Sequence, residues 1–330
     1  MLEVKNLRVS FDMPNGELHA VNGVSYHVGY EEVVAVVGES GCGKTVTQMS
    51  TIQLIQTPPG RIHSGEVIFE GVDLLKFKQN SKELRSYRGS QIAMIFQDPM
   101  SSLNPVFTIG DQMVNIIRTH KKVSKKEAVE IAVNALEAVG IPDARVRMKS
   151  YPFELSGGMR QRVLIALPVA CSSKLIIADE PTTALDVTTQ AQVMEVLMGV
   201  VRDYKSSLVV VTHNLGLVSR YADRIYVMYA GRVVESGTAE DILMHSKHPY
   251  TLGLLKSVPK LEDDKDADLV PIYGAPPNLT QLPTHCAFEP RCPYACDQCR
   301  QSPPPELRQV GKNHHYSACH LEVEEVKACE

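Results

Sequence analysis

The chain has 330 residues, 44% of them apolar and 22% charged, which is the usage of an ordinary folded protein and excludes a fibrous or disordered one. At roughly 150 residues per domain this length predicts about two domains. Lys and Arg number 34 against 38 Asp and Glu, a net charge of -4, so there is no basic footprint for nucleic acid and no nucleic-acid partner is expected.

The longest apolar run, Val163 to Cys171, contains Pro168 and falls far short of the roughly 20 residues needed to cross a bilayer. The first residues alternate charged and apolar side chains and lack a secretory pattern, so the chain is expected to stay in the cytosol. Two of the eight cysteines, Cys42 and Cys171, stand apart, whereas the others crowd between Cys286 and Cys329. That distribution predicts a separate cysteine-based site near the C-terminus.

In chain order, residues 2–11 and 20–28 read as strands, and Glu32 to Val37 as a short, almost wholly apolar strand of the buried kind. Gly38 to Thr45 reads GESGCGKT, followed by a helix expected to end before Pro58. Residues 66–71 and 91–96 are further strands, and 97–105 reads as a loop by its Pro, Asn and Ser content. Residues 104–151 read as mainly helical, inserted between parts of an α/β core. Ser124 and Glu127 form a capping box there, and Ala132, Ala135, Leu136 and Val139 fall on one stripe. A helix after Ser156-Gly157-Gly158, a strand at 175–178, a helix at about 188–201, a strand at 208–212, a short helix and strands at 224–228 and 232–235 complete the pattern. Such alternation predicts a mostly parallel sheet covered by helices, ending near Ser257. Acidic residues between Glu262 and Asp268 then read as a solvated linker. The prolines beyond predict a small irregular domain held by something other than a large core.

Gly38-x-x-x-x-Gly43-Lys44-Thr45 follows an apolar strand and opens a helix, the context that a phosphate-binding loop requires. Glycine lets backbone N–H groups approach phosphate closely, Lys44 adds positive charge, and Thr45 offers a hydroxyl to magnesium. The strand Leu175 to Ala178 delivers Asp179 and Glu180 at its C-terminal end, where α/β sheets bind ligands. Asp179 is expected to orient magnesium and Glu180 to take the proton of an attacking water. Together the lysine and the carboxylates predict nucleotide hydrolysis.

These motifs, with Leu155-Ser156-Gly157-Gly158-Met159-Arg160-Gln161 as a signature sequence, make the chain resemble the ATP-binding cassette (ABC) ATPases over residues 1–257. The resemblance implies a P-loop NTPase cassette: a mostly parallel α/β core, an N-terminal antiparallel β part and a helical subdomain at about 104–165. It implies that ATP contacts Phe11 through its adenine, and Gly38, Ser40, Gly41, Cys42, Gly43, Lys44 and Thr45 through its phosphates. It places magnesium at Thr45, Gln97 and Asp179, and gives Gln97 and His213 roles at the γ-phosphate beside Glu180. Asp186 falls in the D-loop. Ser156, Gly157 and Gly158 would act in trans, covering the nucleotide held by a second, paralogous ATPase subunit.

Beyond the cassette, His248-Pro249-Tyr250-Thr251, Gly274-x-Pro276-Pro277 and Phe288-x-Pro290-Arg291-Cys292-Pro293-Tyr294 resemble the extension of oligopeptide and dipeptide importer ATPases, whose relatives also carry nickel. This implies ATP-driven peptide import, with nickel import as the rival cargo and a soluble, non-transport cassette as the more distant one. The implied partners are two membrane permeases and an extracytoplasmic peptide-binding protein, and the implied place is the cytoplasmic face of a prokaryotic membrane, peripherally. Cys286, Cys292, Cys299 and Cys319 match the spacing of relatives that hold a 4Fe-4S cluster. Four thiolates could equally hold zinc, or stay free or paired. Cys296 and His285 are extra donors nearby, Cys329 is expected to have no role, and His314, His315 and His320 are expected to be solvent-exposed. Cys42 is read as a thiol whose pKa a helix N-terminus can depress.

Overall fold

A computed structural model describes residues 1–183, 185–257, 271–311 and 314–321; the acidic segment and Cys329 lie outside these residues. The chain divides into two compact units. One gathers residues 1–28, 33–76 and the described part of 212–330, and the other gathers 29–32 and 77–211.

In the first unit, Leu2–Met13 runs antiparallel to Gly16–Val28 on one side and to Gly60–Phe69 on the other, with Val72–Asp73 at the edge. Leu2, Val4, Leu7 and Val9 are buried while Glu3, Lys5 and Arg8 are exposed. The alternation changes phase between Val4 and Leu7, where the register shifts and Asn6 takes a φ of 46°. A bulge there turns both halves of the strand toward the same core. Separately, the fully buried Val33–Val37 pairs in parallel with Arg224–Tyr229, which pairs antiparallel with Arg232–Thr238.

The C-terminal extension continues this second sheet. Tyr316–Ser317 pairs with Arg232–Thr238, and Arg308–Gln309 pairs with Tyr316–Ser317. Beneath the junction Glu235 is fully buried, accepts from the backbone N–H groups of Lys247 (2.5 Å) and His248 (3.1 Å), and lies 2.9 Å from His315 Nε2. The expected exposure of His315 is therefore corrected: it is 1% exposed, because a buried carboxylate needs a partner there. Among the other described residues beyond Ser257, regular structure is a 3-10 turn at Glu289–Arg291 and a short helix at Asp297–Gln301.

The second unit holds the parallel strands Ile92–Ile95, Leu175–Asp179 and Ser207–Thr212. Its principal helices are Ile109–His120, Lys125–Ala138, Gly157–Cys171 and Val187–Asp203. The Ser124/Glu127 capping box forms, and the stripe Ala132, Ala135, Leu136 and Val139 is buried.

Two local readings change. The segment 97–105 contains a one-turn helix, Pro99–Ser102, because Asp98 accepts from Met100 N and Ser101 N and Pro99 occupies the first turn. The helix after the phosphate loop ends early, at Thr51. The hydroxyls of Ser50 and Thr51 bond back to the carbonyls of Val46 and Gln48, a competition that weakens helices.

Candidate nucleotide-binding site

The phosphate loop leaves the strand Val33–Val37 and enters the helix Lys44–Thr51. Gly38 and Gly43 are required by space as well as by conformation. A Cβ on Gly38 would stand 2.2 Å from Met228 O, and one on Gly43, at φ +98°, would stand 2.3 Å from Ala20 O. Lys44 is 5% exposed, and its ammonium donates to Gly38 O at 2.7 Å and Glu39 O at 2.9 Å. These bonds hold the charge against the loop. Ser40, Gly41 and Thr45 are exposed.

Cys42 departs from expectation. Burial pushes its thiol pKa up, and the neighbouring Lys44 only partly opposes this. Desolvation of a thiolate outweighs the helix N-terminus here. Phe11 is half-buried on its strand, opposite Gly60. His213 is exposed directly after Ser207–Thr212, just before a short helix, Leu215–Val218, capped by Asn214.

In the other unit, Asp179 closes the buried strand Leu175–Asp179 and is 3% exposed. Glu180 follows with φ +45°, its N–H donating to Val211 O at 2.8 Å. Its Oε2 accepts from Thr183 Oγ1 at 2.8 Å and from Gln97 Nε2 at 3.2 Å. Gln97 and Glu180 are thus brought together, and Thr183 joins them as a third member to which the sequence assigns no role.

Ser156 caps the helix Gly157–Cys171 by accepting from Met159 N at 3.2 Å, and it is exposed. Asp186 caps Val187–Asp203, accepting from Thr189 N and Thr189 Oγ1. Those bonds hold its carboxyl below the usual carboxylate range.

The sequence reading assigned no task to Glu39, Tyr250 and Arg291, which the structure brings together at the phosphate loop. Arg291 grips Glu39 with both terminal nitrogens, at 2.6 and 2.9 Å, and Glu39 N–H donates to Tyr250 Oη at 2.8 Å. The His-Pro-Tyr and Pro-Arg-Cys motifs marked Tyr250 and Arg291, but not their partner.

Residues 21–183 match the family described as ABC transporter, and residues 234–299 match the oligopeptide/dipeptide transporter C-terminal region. The oligopeptide transport ATP-binding protein OppD of Salmonella typhimurium is 46% identical over 99% of this chain and 95% of its own. The chain belongs to the ABC transporter ATP-binding proteins of the oligopeptide/dipeptide family. The dipeptide transport ATP-binding protein DppD of Bacillus subtilis is 47% identical over 90% of this chain and 89% of its own. Among solved structures, the dimeric ATP-binding cassette MJ0796, in a post-hydrolysis state bound to ADP and Pi, matches with a TM-score of 0.64 at 25% identity. It covers 72% of this chain and 99% of that one. The cassette is therefore an ATPase of the P-loop NTPase fold, built on mixed α/β sheets.

In the cassette's extension, burial pushes the thiols of Cys292 and Cys319 up to about 12 and about 11, and nearby cysteine charges add to both shifts. Cys286, Cys299 and Cys319 act on Cys292, and Cys286 and Cys299 act on Cys319, so the four thiols share one neighbourhood. Cys296 Sγ lies 3.5 Å from Cys299 Sγ. Soft thiolate donors suit iron–sulfur or zinc. Among the described residues, however, no three His, Cys, Asp or Glu side chains are arranged to hold a metal.

Proposed function

We propose that this chain is the ATP-hydrolysing subunit of a peptide importer. The observation carrying this reading is 46–47% identity over 90–99% of the chain, extension included, to ATP-binding proteins named for oligopeptide and dipeptide transport. In this reading Phe11 stacks on adenine, Lys44 and the amides of Gly38, Ser40, Gly41, Cys42 and Gly43 hold the phosphates, and Glu180 takes the proton of the attacking water. Thr183 and Gln97 hold one oxygen of Glu180, which orients the carboxylate for that role. His213 contacts the γ-phosphate. Thr45, Gln97 and Asp179 are hard oxygen donors of the kind magnesium prefers; the ion, when bound, neutralises phosphate charge.

The chain pairs with a second, paralogous cassette. Ser156, Gly157 and Gly158 begin a helix of 15 residues, and they cap the partner's nucleotide through a hydroxyl, backbone amides and the helix dipole. Asp186 belongs to the same contact.

Two membrane permeases receive the motion at residues 97–107, where Met100, Val106 and Phe107 are exposed at 54%, 70% and 53%. Exposed apolar side chains of this size favour a protein contact. No helix among the described residues is long and apolar enough to cross a membrane, and the proposed place is peripheral, on the cytoplasmic face. An extracytoplasmic binding protein delivers the peptide.

Within the extension, Cys286, Cys292, Cys299 and Cys319 are proposed to hold a 4Fe-4S cluster, with zinc as the competing occupant. Such a group would supply a cross-link to a segment whose described residues hold little regular structure. Anaerobically purified protein is expected to carry iron and acid-labile sulfide in equal amounts, and zinc without sulfide would refute the cluster.

The function itself is tested in vesicles containing the chain, its second cassette and two permeases. ATP should drive uptake of short peptides in the presence of the binding protein, and Glu180→Gln should stop it. Uptake of nickel but not of peptide would overturn the reading.

A further inference from the structure

The Arg291 side chain carries the extension to the phosphate loop. Arg291 is nearly buried, its side chain 4% exposed, and it binds both carboxylate oxygens of Glu39, whose side chain is 26% exposed. Its remaining donors are committed as well, with Nε bonding to Tyr273 O at 3.1 Å, Nη2 to Ile272 O at 3.2 Å and Nη1 to Tyr229 Oη at 3.4 Å. The guanidinium lies over the Tyr229 ring at 5.8 Å. Tyr229 in turn packs on the fully buried Tyr250 at 4.6 Å and on Phe288 at 5.3 Å. This aromatic cluster fixes the arginine, and a planar fork fixed in that way dictates where a carboxylate sits.

Glu39 carries that constraint to the site. Its N–H donates to Tyr250 Oη, and its carbonyl accepts from the Lys44 ammonium. The loop residue that orients the lysine is therefore held at its side chain and at its backbone by residues from beyond the nucleotide fold's core strands. A second observation agrees. Residues 276–279 of the extension and 39–42 of the loop face each other across a cavity of about 280 Å³, and Leu279 O accepts from His19 N at 2.9 Å. Arg291 also neutralises a carboxylate that would otherwise stand, uncompensated, in the loop meant for an anion.

We propose that Arg291 is a positioning residue for ATP binding: by pairing with Glu39 it holds the phosphate loop, and with it Lys44, in the conformation that receives phosphate, so the C-terminal extension sets nucleotide affinity. This rests on the reading that Lys44 binds phosphate.

The test measures MgATP affinity of the full chain by competition with a fluorescent ATP analogue, in a Glu180→Gln background so that turnover does not interfere. Arg291→Ala is expected to weaken binding about tenfold, Arg291→Lys less, and in a Glu39→Gln background Arg291→Ala should add less than about twofold, since its route to the loop is already cut. Lys44→Ala serves as the control and should abolish measurable binding. If Lys44→Ala binds normally, the phosphate-loop reading fails. If Lys44→Ala fails to bind while Arg291→Ala binds like its parent, or loses the same factor in both Glu39 backgrounds, the positioning role is wrong. A lowered thermal midpoint with unchanged affinity would make the pair purely structural and would also overturn it. Should Arg291→Ala not fold, Arg291→Lys and Glu39→Gln decide the question: each must weaken ATP, and the combination must be no worse than the stronger single change.

Discussion

Glu180 has a left-handed backbone, φ +45°, a conformation rare for a side chain of its size. It is held on both sides, by Val211 O at its N–H and by Thr183 and Gln97 at its carboxylate. Strain maintained by surrounding bonds is a mark of a working residue. Glu180→Gln keeps the shape and removes the proposed base, so single-turnover hydrolysis should fall by about 10³-fold while ATP affinity stays near wild type. Unchanged hydrolysis would remove Glu180 from that role. Gly43 is a different kind of constraint. Gly43→Ala would combine a positive φ with a Cβ 2.3 Å from Ala20 O and should cost about 2–4 kcal/mol in urea unfolding. A loss below the error of that measurement would show that the loop yields easily.

At the scale of elements, the junction between Arg232–Thr238 and the extension turns on Glu235, His248 and His315. His248 is 2% exposed and caps Pro249–Lys256, its Nδ1 accepting from Tyr250 N. Burial pushes its pKa down to about 4 from 6.5, against the pull of Glu235. The folded state thus keeps this imidazole neutral while the unfolded chain protonates it below 6.5. Its contribution is complete above pH 6.5 and is lost as pH falls from 6.5 toward 4, by about 3 kcal/mol in all. His248→Asn retains a capping oxygen and removes the titration. Urea unfolding at pH 7 and pH 4.5 should therefore show a shallower loss in the variant than in the wild type, and equal losses would contradict the assignment.

For the whole molecule, the start of Gly157–Cys171, behind its exposed cap Ser156, is proposed to serve a second cassette. Among the described residues a Cβ at Gly157 would meet Leu185 Cδ2, at 3.2 Å, the end of a side chain that can yield, so Gly157→Asp should fold and act mainly through its charge. In a mixed dimer it should impair ATP retention at the phosphate loop of the unmodified partner, not at its own Lys44. Impairment confined to its own loop would refute the head-to-tail arrangement.

How much of this could be read from the chain follows from the range of the interactions. The strand, glycine loop and helix from Val33 to Thr51, the buried strand ending in Asp179, and the Ser124 cap were legible, because spacing, glycine placement and capping act over a few residues. The capping box of Thr238 and Asp241, which opens Ala239–Met244, was written in the same local code and was passed over. Gln97 meets Glu180 across 83 positions and Arg291 meets Glu39 across 252. Resemblance gave Gln97 and Glu180 separate roles at the nucleotide without pairing them, and nothing local announces either contact. The depressed thiol read for Cys42 and the exposed imidazole read for His315 both reversed, since a titratable group answers to the burial and partners that distant segments impose. The sequence by itself determined which residues could bind phosphate, carry charge and start helices. Only the tertiary structure decided which of them lost their water and which distant side chain took its place, because desolvation and pairing depend on what packs nearby in space.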